Sequence, residues 1–198
     1  MSKNPGSNKE NLEKTHKLFL NIARDEFVRY GFNGTSTNQI VERSCMARGS
    51  LYYHFGDKEG LFREVYVSVL REVHGEITAQ IEPISDPRKR LFKGVEAFFT
   101  ICLREDVRKI LLLEGLTTIP HHERMKLLED NLVGKLTELV GDMYAHGLIN
   151  EISRNGMIIF IYGLVTEAAR NFEYVDQPEK LCAQFQKDFC VLLDKLCS

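Results

Sequence analysis

The 198-residue sequence predicts an all-α chain, with an N-terminal three-helix helix-turn-helix domain and a larger C-terminal helical domain. Three observations carry this. Apolar residues recur three and four positions apart through most of the chain, and no stretch alternates as a strand would. The run from Thr35 to Leu61 reads as two short helices, a tight turn and the start of a long helix. Pro83-Ile84-Ser85-Asp86-Pro87 then places two prolines where a helix cannot continue. The expected organisation is a flexible tail over 1–10, the helix-turn-helix domain over 11–60 with a linking helix over 57–81, and the second domain over 82–198.

In chain order, Asn11 to Tyr30 is the first long helix, with Leu18, Phe19, Ile22, Ala23 and Phe27 as its apolar stripe and Gly31 as its stop. A short helix from Thr37 to about Ser44 follows, capped by Thr35 or Ser36, whose hydroxyl satisfies orphan N–H groups. Cys45 and Met46 occupy the turn. Ala47 to His54 forms the next helix, with Leu51 and Phe55 as buried anchors four apart. Gly56 breaks it, and Asp57 caps a helix running through Phe62, Val65, Tyr66, Val69, Leu70 and Val73 to Ile81. Beyond the prolines, helices are expected over Arg88–Leu103, Arg104–Leu116 and His121–Gly147, with Thr117–Pro120 as a turn. Ile152–Phe172 is apolar nearly all round, so it must be buried on more than one side. Pro178 suits the first turn of the last helix, which carries a stripe of Leu181, Phe185, Phe189, Leu192, Leu193 and Leu196.

Composition narrows the classes. With 43% hydrophobic residues the chain can bury a core, and no apolar run reaches the length of a membrane span. Met1 to Glu10 lacks an apolar signal core. The five cysteines (45, 102, 182, 190, 197) are odd in number and form no Cys-x-x-Cys pair, which points to reduced thiols and a cytoplasmic setting. Net charge is −2, but residues 1–60 hold nine Lys/Arg against seven Asp/Glu while the rest holds 17 against 21. That asymmetry has the sign expected for nucleic acid at the N-terminal end.

A helix-turn-helix places its second helix in the DNA major groove. The N-terminal half of that helix is small or polar (Ala47, Arg48, Gly49, Ser50), which lets the backbone approach base edges. Tyr52, Tyr53 and His54 follow within reach of sugar and phosphate. An unspecialised helical hairpin is the alternative that pattern alone leaves open. The residues themselves go further. Gly31-Phe32-Asn33-Gly34-Thr35-Ser36, then Ile40, then Ala47-Arg48-Gly49-Ser50-Leu51-Tyr52-Tyr53-His54-Phe55, then Asp57-Lys58-Glu59-Gly60-Leu61 resemble the DNA-binding domain of TetR-family transcriptional regulators. Order, spacing and N-terminal position all match over about the first third of the chain. One departure stands out: the family usually has Gly at the turn where this chain has Cys45.

The resemblance implies an operator-binding homodimer with a small-molecule effector, a repressor in the main and an activator as the variant. Arg48 is the candidate for base reading. Thr35, Ser36, Thr37, Ala47, Gly49, Ser50, Tyr52, Tyr53, His54 and Lys58 complete the expected DNA face, Lys58 approaching phosphate at a helix N-terminus. It also implies an inducer held among the middle helices, with Phe98, Phe99, Cys102, Leu112, Met125, Tyr144, Phe160 and Tyr162 as candidates and plain core as the alternative for each. The last two helices would form the dimer interface, through Ile158, Ile161, Val165, Phe185, Phe189 and Leu192, with intrachain core again the alternative.

Catalytic chemistry is not indicated. His121 and His122 are adjacent, so they do not share a helix face, and with His146 they lack zinc-ligand spacing. No nucleophile elbow, phosphate loop or dinucleotide fingerprint is present. No metal or cofactor is expected. A helical ligand-binding protein without DNA binding is the principal rival, and the Cys45 turn is the feature in its favour.

Overall fold

The computed structural model describes residues 5–149 and 151–196, with side chains described from Glu10 onward. The expected tail lies outside the described residues through Asn4, as does Cys197, and helix is already present from Pro5. The described residues are helical and contain no strand.

The elements are α1 (Pro5–Gly34), α2 (Thr37–Ser44), α3 (Arg48–Phe55), α4 (Lys58–Ile81) and α5 (Pro87–Ile101). Next come α6 (Glu105–Arg108), a π-helical turn (Lys109–Glu114), α7 (Gly115–Thr118), α8 (His121–Leu128), a second π-helical turn (Glu129–Val133) and α9 (Gly134–Ala145). The chain closes with α10 (Arg154–Arg170), a 3-10 turn (Asn171–Tyr174) and α11 (Pro178–Leu196). It divides into two compact units, one through Ser68 and one from Val69, so the division falls within α4.

The first unit closes around one core. Phe19, Ile22, Ala23 and Phe27 of α1 are buried with Ile40 of α2, Leu51 and Phe55 of α3, and Leu61, Phe62, Val65 and Tyr66 of α4. Each aromatic or branched side chain taken from water there contributes roughly 1.5–3 kcal/mol. Leu18, expected in the stripe, is 40% exposed instead. The Phe27 and Phe62 rings meet edge to face at 5.1 Å, and Phe32 sits 5.4 Å from Phe62. Gly31 adopts φ 69° and ends the straight run of α1, leaving a short helical turn to Gly34. The buried Glu26 carboxylate is paired with Arg43 of α2 at 2.5 Å, which fixes α2 against α1.

In the second unit α5 packs against α9 and α11, and α10 packs against α9 and α5. Leu91, Val95, Phe98 and Phe99 of α5 are buried there, with Phe99, Phe172 and Phe185 forming a ring cluster at 6.1–6.2 Å. Asp86 caps α5 by accepting from Lys89 N at 2.8 Å, with Pro87 at the helix start. The helix expected over His121–Gly147 is interrupted by the π turn at Glu129–Val133, and that over Arg104–Leu116 by the π turn at Lys109–Glu114.

Candidate functional site

The turn between α2 and α3 is built by local hydrogen bonds. Ser36 caps α2: its hydroxyl accepts from Gln39 N at 3.2 Å, and the Gln39 side-chain oxygen accepts from Ser36 N at 2.9 Å. This reciprocal box is legible as Ser-x-x-Gln, and Gln39 is a contributor that sequence reasoning passed over. At the other end Cys45 adopts φ 53°, ψ 24°, the left-handed conformation, and its N–H bonds Glu42 O. Ser44 donates to Val41 O at 2.8 Å and accepts from Met46 N at 3.2 Å, so the turn is held from both sides.

α3 starts at Arg48 after an extended Ala47. Ala47, Arg48 and Gly49 are exposed and Ser50 is half-buried, while Leu51 and Phe55 face the core. A Cβ on Gly49 would touch nothing within 4 Å, so no intramolecular contact requires glycine there. The Tyr52 hydroxyl lies 3.4 Å from the Thr37 hydroxyl and accepts from Arg48 Nη2 at 3.2 Å. The guanidinium stands 5.5 Å from the Tyr52 ring centre. Thr37, and after it Arg48, draw the phenol below its ordinary pKa by stabilising the phenolate. Tyr53 is 75% exposed.

Three residues expected on the DNA face are placed otherwise. Thr35 is buried, and its hydroxyl donates to Gly31 O at 2.8 Å and Glu26 O at 3.0 Å. It therefore clamps the end of α1 rather than facing outward. The Lys58 ammonium donates to Phe32 O at 2.9 Å and Thr35 O at 3.1 Å and lies 4.2 Å from the Phe32 ring centre, so its charge is committed to the loop before α2. His54 turns toward α1, its ring 5.7 Å from His16. Burial, and secondarily the charge of His16, lowers its pKa. A sequence cannot tell these roles from DNA contacts, because the same donors suit a carbonyl and a phosphate.

In the second unit an apolar cavity of about 80 Å³ lies between α4, α5, α9 and α10. Phe98 and Tyr162 are the expected ligand residues that line it, joined by His74, Ile77, Leu139, Val165 and others. Phe99 and Cys102 are wholly buried in the surrounding core, and burial pushes the Cys102 thiol far up. Leu112 is buried and Met125 half-buried, neither lining the cavity. The Tyr144 hydroxyl donates to Ile152 O. Phe160, by contrast, is 62% exposed.

Of the expected dimer residues, Ile161, Val165 and Phe189 are buried within the chain itself, Ile158 and Phe185 are half-buried, and Leu192 is exposed. Besides Leu192, α10 and α11 expose Ile159, Phe160, Leu164 and Val191. On a helix apolar nearly all round, spacing does not choose the outer face. Among the described residues no group of three His, Cys, Asp or Glu is placed to hold a metal ion, and no helix is long and apolar enough to cross a membrane.

Comparison with known proteins accounts for both units. Residues 19–65 match the family of bacterial regulatory proteins, tetR family, and residues 88–196 match the tetracyclin repressor-like C-terminal domain. The HTH-type transcriptional regulator QacR of Staphylococcus aureus is 46% identical over 46 residues, 23% of this chain and 24% of that protein. The chain spans a quarter to about half the length of most of the first curated relatives it matches, and 71% of one, the transposon Tn10 TetC protein of Escherichia coli. Solved structures align over nearly their whole length. A TetR-family transcriptional regulator from Pectobacterium atrosepticum has a TM-score of 0.78 at 23% identity, covering 95% of this chain and 96% of that one. FadR from Bacillus subtilis, in complex with stearoyl-CoA, has a TM-score of 0.77 at 17% identity, covering 89% and 96%. The helix-turn-helix, the helical unit after it and both sequence matches lead to one conclusion: this chain belongs to the TetR family of DNA-binding transcriptional regulators.

Proposed function

We propose that the protein is a repressor that binds a pseudo-palindromic operator as a homodimer and is released by a small, largely apolar ligand. The observation that carries the DNA reading is the exposed N-terminal half of α3, where Arg48 is pre-positioned by the Tyr52 ring and hydroxyl and Gly49 leaves open space. A guanidinium held in that way loses less side-chain freedom when it grips a base edge, and guanine is the base whose two acceptors fit its fork. Ser36, Thr37, Ala47, Ser50, Tyr52 and Tyr53 are assigned the flanking contacts that set register. Thr35, Lys58 and His54 act behind them, holding the scaffold.

The exposed apolar side chains of α10 and α11 support a two-fold contact between copies through Ile159, Phe160, Leu164, Val191 and Leu192, since apolar surface of this kind is stabilised by burial. Two-fold symmetry would be mirrored by half-sites about one helical turn apart or a multiple of it. The cavity supports the ligand reading. The stearoyl chain of the ligand in the FadR complex is far larger than about 80 Å³ admits, so this site suits a smaller ligand.

The test is a library of operator variants. Arg48→Ala is expected to relax preference at one base position per half-site, with a loss of about 1–3 kcal/mol on the preferred sequence. Tyr53→Ala is expected to weaken binding to all sequences alike. Uniform loss in both variants would contradict the assignment of base reading to Arg48.

A further inference from the structure

The second unit buries two guanidinium groups, and they are treated differently. Arg108 is 7% exposed, and it has a carboxylate: its Nε and Nη2 donate to Glu173 at 2.9 Å, while Nη1 donates to Cys102 O and Leu103 O at 3.0 and 3.1 Å. Arg124 is 9% exposed and, among the described residues, no carboxylate stands within ion-pair distance of it. Its hydrogen-bond partner is an imidazole, His121 Nδ1 at 3.2 Å from Nη2, and its charge acts on the nearby Tyr162 hydroxyl. Arg124 Nε is buried with no partner at all. A charge withdrawn from water without a counter-charge is costly, and chains retain one where something supplies the missing anion.

Tyr162 belongs to both settings. Its hydroxyl is close enough to feel the Arg124 charge, and it lines the apolar cavity with Ile77, Phe98 and Leu139. Of the other polar residues on that wall, Lys135 is paired with Glu138 at 2.7 Å and Thr166 donates to Tyr162 O at 2.7 Å, whereas His74 has a buried ring nitrogen, Nδ1, without a partner. A cation that lacks an anion therefore adjoins a cavity that lacks an apolar occupant. We propose that the effector is a short-chain carboxylic acid, its carboxylate gripped by Arg124 and the Tyr162 hydroxyl and its hydrocarbon tail seated in the cavity. This deepens the ligand part of the repressor reading and rests on it. A planar carboxylate matches the guanidinium fork with two parallel hydrogen bonds, whereas one guanidinium leaves much of a phosphate's charge unmatched. Size sets the tail. An apolar cavity of about 150 Å³ takes benzene, so about 80 Å³ takes roughly three carbons.

Calorimetric titration of the full chain with butanoate, and with butan-1-ol as the uncharged match, tests this without DNA. Butanoate is expected to bind at least about tenfold more tightly than the alcohol, and Arg124→Met to abolish that difference. Arg124→Lys should recover part of it, because the charge returns without the fork. Thermal unfolding separates a ligand role from a structural one. Arg124→Met in the absence of acid should unfold at the same temperature as the parent or higher, and should lose the butanoate-induced rise that the parent shows. Acid and alcohol binding equally, no butanoate binding, or full butanoate binding by Arg124→Met would each overturn the proposal. A protein that binds butanoate through Arg124 yet selects no operator would instead sink the repressor reading and leave the acid site standing.

Discussion

In the helix-turn-helix unit most of the polar groups close on one another, the buried His54 Nε2 excepted. Thr35 and Lys58 occupy the carbonyls at the end of α1, Ser36 and Gln39 exchange hydrogen bonds, and the buried Glu26 meets Arg43. In the second unit Arg124 and His74 each keep a buried nitrogen without a hydrogen-bond partner, His74 on the wall of an apolar cavity. The first arrangement suits a rigid reading head, whose side chains must arrive at DNA already positioned. The second suits a receptor, since a site that is already satisfied gains nothing from a ligand. Both π turns also fall in the second unit, and residues of one of them, Leu132 and Val133, line the cavity. Such turns recur at functional sites because the wider turn leaves helical bonding locally strained.

Substitutions can break this contrast, and the largest effect is expected at Arg108. Arg108→Met removes a paired buried cation and leaves Glu173 and two carbonyls without it, a loss of about 3 kcal/mol by denaturant unfolding. Arg124→Met, equally buried but without a carboxylate partner, should cost nothing in the same assay. Equal losses at the two positions would erase the distinction between them. In the first unit the sharpest constraint is Gly60 at the start of α4, where a Cβ would lie 2.1 Å from Phe55 O. Backbone there cannot yield cheaply, so Gly60→Ala should cost about 2 kcal/mol and lower operator affinity with it. The smallest effect is at Cys45. Its left-handed conformation strains a Cβ-bearing residue, and Cys45→Gly relieves that strain but frees the unfolded chain, so the net gain should stay below about 1 kcal/mol. A loss on that substitution would show that the Cys45 side chain itself stabilises the turn.

The first unit was legible in sequence because its signals are short-range. Gly31 and Gly56 mark positive φ at helix ends, Ser36 sits at a cap, and Leu51 and Phe55 fall four apart on the buried face. What sequence left open there was direction. Thr35, Lys58 and His54 carry groups that suit phosphate, and only the fold shows those groups turned onto carbonyls or the neighbouring helix. The second unit was legible as helices but not as surfaces. The apolar run from Met157 to Val165 offers several faces, and tertiary packing buries Ile161 and Val165 while exposing Ile159 and Phe160. The cavity was half legible: Phe98 and Tyr162 were anticipated, but Arg124 was not, because burial of a cation without a counter-charge leaves no local mark on sequence.

The central claim is that α3 reads DNA sequence for a two-fold assembly. Selection of bound fragments from a random duplex library, followed by affinity of the winner at two salt concentrations, tests it most directly. An inverted repeat bound by an even number of chains is expected, with affinity falling steeply as salt rises and phosphate contacts release counter-ions. A folded protein that enriches no sequence, after unfolding and refolding to strip any bound ligand, would contradict it.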